Sequence, residues 1–369
     1  MQTASYSNEV IDRSEHGLLI LSPAQRSPRR RLLFVNCPGG RSGWERFKNG
    51  FYPTHLFWGA FELVRMGYEI AIPEPLPDFY LYRNPLPHDL KLLKAARRWL
   101  RRNDILYCAH NVLYWLPLLK LLGGLSCPIV SLLYAREPLA FSRSHTGIVA
   151  LTRAAAEHAR DIAPHTKIAN LAWGMDLQFF SMRAYNPEWF LSCGIANRDF
   201  KTLCLAASKT QRPIRVICPG LPAGLSWSSN VAMIDAGQGW QMDKRKRLNH
   251  RNLRDEYYPR AAASLIVVKN DPIEYTANGF TNLLEAMALG RPVVMTKTGA
   301  VPSEIDVEKE GCGIFVPPED PDALAEAIDF IGDHPDKAEA MGRKGRELAE
   351  RYYNIERYAD DLHKFFESL

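Results

Sequence analysis

Apolar residues recur along this 369-residue chain in two alternating rhythms. Short buried runs at 32–36, 68–72, 104–109, 129–133 and 147–151 read as strands, and so do 189–194, 214–218, 264–268, 293–296 and 313–316 further on. Between them, spacing of three and four residues predicts helices at 54–66, 91–102, 253–263 and 281–289, from Thr152, after Pro321, and through 335–369. Residues 1–28 carry little periodicity and are expected to form a loosely held arm.

The densest unit is 277–296, ANGFTNLLEAMALGRPVVMT. Leu283, Leu284, Met287 and Ala288 lie on one helical face, Gly290 and Pro292 stop the helix, and β-branched residues follow. Asn278 and Gly279 precede the helix, where free N–H groups and the positive dipole end favour an anion or a sugar hydroxyl. Glu285 either reaches into the same crevice, as a carboxylate that accepts from a vicinal diol, or only complements the helix dipole.

Four other stretches carry candidate chemistry. The 17 residues after the first strand hold Gly39, Gly40, Arg41, Gly43 and Lys48 and read as a lid, because loops of that length inside compact α/β units are uncommon and often functional. Tyr134, Ala135, Arg136 and Glu137 close a strand, where open sheets place ligand contacts; Glu137 is then a base or acceptor contact, or half of an ion pair with Arg136. The segment 91–102 is a basic amphipathic helix. In 319–322, Asp320 reads as the cap of a helix opened by Pro321 rather than as a metal ligand, and no metal is assigned.

Composition narrows the class. A chain this long is expected to hold two domains. Seven scattered cysteines without a CxxC pair indicate neither a disulfide framework nor a zinc site, and so a reducing compartment. No signal peptide or spanning segment is visible. The net charge of +5 is modest but uneven, with basic runs at 29–31, 97–102 and 244–247. These runs lack interleaved aromatic platforms, which argues against nucleic-acid binding.

GFTNLLEAMALGRPVV, continued by GCGIFVPPEDPDALAEAI at 311–328, resembles the donor half of the GT-B glycosyltransferases, most nearly the retaining family 4 type. The resemblance implies an α/β protein of two Rossmann-like domains with parallel sheets facing across a cleft. The implied division is 1–180 on the acceptor side, 181–345 on the donor side, and a helix over 346–369 crossing back. It also implies that Arg198, with Lys201 as second choice in ANRDFKTL, neutralises the donor diphosphate. Donor contacts would come from Gly39, Gly40, Asn278, Gly279, Phe280, Thr281 and Glu285, and the chemistry from Arg198 with Glu137. Two positions depart from the pattern: Tyr134 stands where relatives commonly carry a histidine, and Ala277 where the first glutamate of E-x7-E belongs. The expected activity is transfer of a sugar from an NDP-sugar, with retention and without cofactor, to a lipid-linked, polysaccharide or small-molecule acceptor. The alternative is a catalytically degenerate GT-B subunit serving an assembly. The resembling enzymes receive acceptors on the N-terminal domain, often from the cytoplasmic face of a membrane. The arginines of 97–102 are accordingly expected to meet anionic headgroups or to form a solvated helix face.

Overall fold

The computed structural model describes residues 9–25, 27–37, 40–73, 86–109, 114–194, 196–218, 220, 222, 224–236, 248–270, 277–299 and 304–369. The chain divides into two units, one running to Trp173 and taking in Ile355–Leu369, the other Gly174–Asn354.

In the first unit the strands are β1 Val10–Glu15, β2 Leu18–Pro23, β3 Arg30–Val35, β4 Tyr68–Pro73, β5 Ile105–Cys108, β6 Ile129–Leu133, β7 Gly147–Ala150 and β8 Lys167–Asn170. They form one sheet in the order β1-β2-β4-β3-β5-β6-β7-β8, antiparallel for β1 and β2 and parallel from β4 onward. Strands β5, β6 and β7 are buried at every position, which is why they read as continuous apolar runs rather than alternations. The helices are α1 Gly40–Lys48, α2 Ala60–Arg65, α3 Leu86–Trp99, α4 Trp115–Leu121 and α5 Arg153–Ile162.

Three expectations are corrected here. Residues 10–23 are not a loose arm but a hairpin, turned by His16 (φ 52°) and Gly17 (φ 79°), the left-handed pair that a type I′ turn requires. The segment expected as a lid contains α1, whose Trp44 is buried against Phe47 (5.3 Å), Phe57 and Phe61. Such packing fixes the segment to the unit. The helix expected over 54–66 is broken at Trp58 (φ 51°) and Gly59 (φ 79°) into a 3₁₀ turn, Thr54–Phe57, and α2. A Cβ at Gly59 would sit 3.3 Å from the Tyr358 ring, so the break admits a helix from the far end of the chain.

His145 supplies a test of this unit's stability. It is 4% exposed, with Nδ1 2.8 Å from Ser131 Oγ and Nε2 3.1 Å from the Ala140 carbonyl. Burial, helped by Lys120, pushes its pKa down to about 4. The unfolded chain takes up this proton near pH 6.5 and the folded one only near 4, so stability falls as pH drops through that window. The loss is up to about 3 kcal/mol, and His145→Asn should flatten the slope of thermal stability between pH 7 and 4.

The second unit is a six-stranded parallel sheet of β9 Trp189–Cys193, β10 Ile214–Cys218, β11 Val231–Asp235, β12 Ala261–Ile266, β13 Val293–Thr296 and β14 Gly313–Val316. Their order is β11-β10-β9-β12-β13-β14. Its helices are α6 Phe200–Ala207, α7 Phe280–Ala288, α8 Pro321–Asp333 and α9 Pro335–Tyr352. Asp320 caps α8, its carboxylate accepting from Ala323 N at 2.9 Å, with Pro321 in the first turn. The end of α7 is held by α9: Arg346 Nη1 donates to the carbonyls of Ala288 (2.6 Å) and Phe180 (2.9 Å). The last helix, α10 Ile355–Glu367, belongs to the first unit. There Tyr358 Oη lies 3.2 Å from Tyr107 Oη, and His363 Nδ1 2.8 Å from Tyr68 Oη.

Candidate active site

In the second sheet the strand order reverses between β9 and β12, because the chain winds outward from β9 in one direction and from β12 in the other. Crossovers leaving in opposite directions open a crevice at the carboxyl ends of these two strands, which is where open α/β sheets bind ligands. Gly194 (φ 106°) ends β9, and the chain turns so that Arg198 pairs with Val268 as a single antiparallel bridge past the end of β12. Asp199 then caps α6, accepting from Thr202 N (3.0 Å) and Thr202 Oγ1 (2.6 Å). The cap fixes Arg198 at the mouth of the reversal.

The Arg198 side chain turns inward and is 6% exposed. Its Nε and Nη2 donate to the Cys193 carbonyl (3.3 and 3.2 Å), Nη1 to the Ala196 carbonyl (3.1 Å), and Nη2 also to Asn282 Oδ1. Burial lowers its pKa, and no carboxylate lies within ion-pair distance among the described residues. A buried guanidinium compensated by dipoles alone is costly, and it is a standing attraction for an anion. Beside it begins α7, whose N-cap Gly279 (φ 77°) makes no side-chain capping bond. A Cβ at Gly279 would lie 3.8 Å from Arg198 Nη1, so the helix start and the guanidinium adjoin, and both favour negative charge. Asn278 and Phe280 are buried at this turn, Thr281 is half-buried, and Lys201 stands exposed on the first turn of α6.

Glu285 lies deeper, 1% exposed. Tyr258 Oη donates to its Oε2 (3.2 Å), and His250 Nδ1 is 3.6 Å from its Oε1. Tyr258 Oη also lies 3.4 Å from Cys193 Sγ, to which Asn282 Nδ2 donates at 3.1 Å. Arg198, Asn282, Cys193, Tyr258 and Glu285 therefore form one connected polar row beneath the crevice. Burial pushes the Cys193 thiol up to about 12, so it serves the row as a neutral group. His250 and Tyr258 were missed in the sequence: His250 stands before the first residue of the helix expected over 253–263, and Tyr258 lies inside it as one of its ordinary positions. The signal was the Asn249-x-x-Asn252 pair, which forms a reciprocal capping box and starts the turn that carries His250.

The remaining sequence candidates belong to the first unit. Gly40 (φ 45°) is buried at the start of α1, just past β3, where that sheet's own order reverses. Glu137 is half-buried beyond β6, and its carbonyl accepts from His158 Nε2 (3.0 Å). Tyr134 stacks on Trp58 (6.0 Å, 11°), which stacks on Trp173 (4.5 Å, 19°). Gly39, the carboxylates Asp271 and Glu274, and the basic run at 244–247 lie outside the described residues.

Residues 273–348 match the family described as Glycosyl transferases group 1. D-rhamnosyltransferase WbpZ of Pseudomonas aeruginosa is 37% identical over 62 residues, which is 17% of this chain and only 16% of that protein's length. Sucrose-phosphate synthase from Thermosynechococcus elongatus superposes with a TM-score of 0.64 at 14% identity, over 92% of this chain and 99% of that one. Anabaena HepE in complex with UDP gives 0.61 at 13%, over 92% and 100%. At such identities the structural likeness establishes the fold.

Proposed function

We propose that this chain, whose fold is that of the GT-B glycosyltransferases and whose residues 273–348 carry the group 1 sequence, moves a sugar from a nucleoside diphosphate to an acceptor. The observation that carries the reading is the buried guanidinium of Arg198, which has no carboxylate partner among the described residues, beside the start of α7 at the point where the strand order reverses. A diphosphate seated there supplies the missing anion. As the bond to the sugar breaks, charge grows on the departing diphosphate, and a prepositioned cation and helix dipole stabilise that charge more than the ground state. Glu285 is proposed to hold the ribose through Oε1, since Tyr258 occupies Oε2. Lys201, on the first turn of α6, is proposed as a second phosphate contact. HepE, solved with UDP, supports a nucleotide donor.

A panel of nucleoside diphosphates in a thermal-shift measurement tests this and identifies the base, because a ligand at a hundred times its Kd adds about 2.7 kcal/mol. A melting point that no nucleotide moves at millimolar concentration sinks the proposal. One observation favours a second reading, a degenerate GT-B subunit: Ala277, at the turn before α7, holds no carboxylate where the retaining pattern has glutamate. An active transferase hydrolyses its donor slowly without acceptor. Tight nucleotide binding with no release from any common NDP-sugar would assign the chain to that second reading.

A further inference from the structure

We infer that His250 is a positioning residue that sets the preference of this site for a ribose. The inference rests on the proposed nucleotide reading and deepens it. Glu285, the proposed ribose contact, is 1% exposed and is approached on both oxygens, by Tyr258 Oη on Oε2 at 3.2 Å and by His250 Nδ1 at 3.6 Å from Oε1. An ionised carboxylate oxygen accepts two hydrogen bonds. No other hydrogen bond to Oε1 is made among the described residues, so one of its positions faces the imidazole and the other remains for a hydroxyl. A carboxylate free to rotate presents that position only part of the time. Held on both oxygens it presents the position at all times, and an arriving ribose does not bear the entropy of ordering it.

The backbone here is shaped to bring the two donors together. His250 and Tyr258 are eight residues apart, and an α-helix would set such positions about 80° from each other around its axis. The segment is not the regular helix expected over 253–263. Asn249 and Asn252 close a capping box that starts one turn, His250–Asn252; Leu253–Tyr257 then winds as a π-helix, and Tyr258–Arg260 tightens to 3₁₀. A π turn takes more residues per revolution, which narrows that angle and lets both side chains reach one carboxylate, and such turns recur at functional sites. Core packing does not account for the winding: no residue of His250–Tyr257 is buried, whereas Tyr258 is fully buried at its end. The cations of the turn, Arg251 and Arg254, pair with Asp255 (3.4 and 2.7 Å), so among the described residues His250 and Tyr258 are the side chains that this turn brings to Glu285.

The test is titration calorimetry of the full chain with ADP, CDP, GDP and UDP, with the 2′- and 3′-deoxy forms of whichever binds most tightly, and with inorganic pyrophosphate. The parent is expected to prefer the ribonucleotide to at least one deoxy form by about tenfold or more, as one charge-assisted hydrogen bond provides. His250→Leu should cut that preference at least about fivefold while changing the affinity for pyrophosphate, which carries no ribose, by less than about twofold. His250→Asn, whose amide places a donor near the position of Nδ1, should keep most of the preference. A thermal melt accompanies each variant. An undiminished preference in His250→Leu overturns the inference. So does a loss that falls equally on pyrophosphate and comes with a lowered melting point, because His250 would then only hold the turn in place. Failure of the nucleotide reading looks different: the parent chain itself binds none of the four diphosphates, and the inference falls with it.

Discussion

Arg198→Met is expected to abolish most nucleotide diphosphate affinity while leaving the ligand-free protein as stable as before, or more so. The guanidinium is buried with carbonyl and amide oxygens as its only described hydrogen-bond partners, so replacing it with an apolar chain of similar length removes a desolvated cation from the folded state. Two backbone carbonyls lose a donor, a cost that opposes the gain and keeps the net change small. In the bound state a charge-assisted contact disappears, worth about 1.5–3 kcal/mol, or roughly 10- to 150-fold in Kd. Arg198→Lys should recover part of the affinity, because it restores charge without the planar fork that spans two oxygens. Calorimetric titration beside a ligand-free melt decides the matter. A variant that melts several degrees lower yet binds its nucleotide normally would make Arg198 a strap for the β9 turn and nothing more.

Gly279→Ala should be among the most damaging single changes in the second unit. Residue 279 has φ 77°, and a Cβ there would stand 2.3 Å from Ile266 Cγ2, closer than real atoms approach. The left-handed conformation and the forced shift of β12 or α7 together cost about 2–5 kcal/mol, a large share of the stability of an ordinary domain. The two parts separate in a double-mutant cycle with Ile266→Ala, which clears the space. In that background Gly279→Ala should cost only the backbone part, about 1–2 kcal/mol. An equal cost in both backgrounds would show that Ile266 is not the obstacle. Because Gly279 adjoins Arg198 Nη1, the variant should also lose nucleotide affinity even where it remains folded.

Local signals made the elements around the candidate site readable, and distant ones were silent. Gly279, Gly290, Asp199 and Asp320 announce left-handed turns and helix caps through their own chemistry, so the α7 unit and the starts of α6 and α8 were readable. The hairpin was not, because β1 is an edge strand with five exposed positions in a row and so shows no apolar alternation; His16-Gly17 was its one mark. Charged residues on that edge discourage pairing with other chains, and the same residues hide it from a hydrophobicity pattern. Helix α1 was masked by its glycines. Gly43 is small for packing, since a Cβ there would meet Tyr52 at 3.2 Å, not because the backbone loops. Glu285 was legible as a buried-side carboxylate but not as Tyr258's acceptor, a contact spanning 27 residues that no local rule reveals.

Helix α10 has a consequence for how the protein is made. Its Phe365 ring lies where a Cβ on Gly147 would meet it at 2.8 Å, and Phe366 packs edge-on against Tyr107 (5.5 Å), so the first unit's sheet is shaped to receive it. On the ribosome that sheet is synthesised first and its cover last, after the whole of Gly174–Asn354. At about 5–20 residues per second the wait is roughly 10–35 s. The second unit is continuous in sequence and can complete its core during that interval. The earlier half of the chain meanwhile keeps the Tyr107 ring and the Gly147 backbone without the helix that covers them, and they are packed only when α10 emerges.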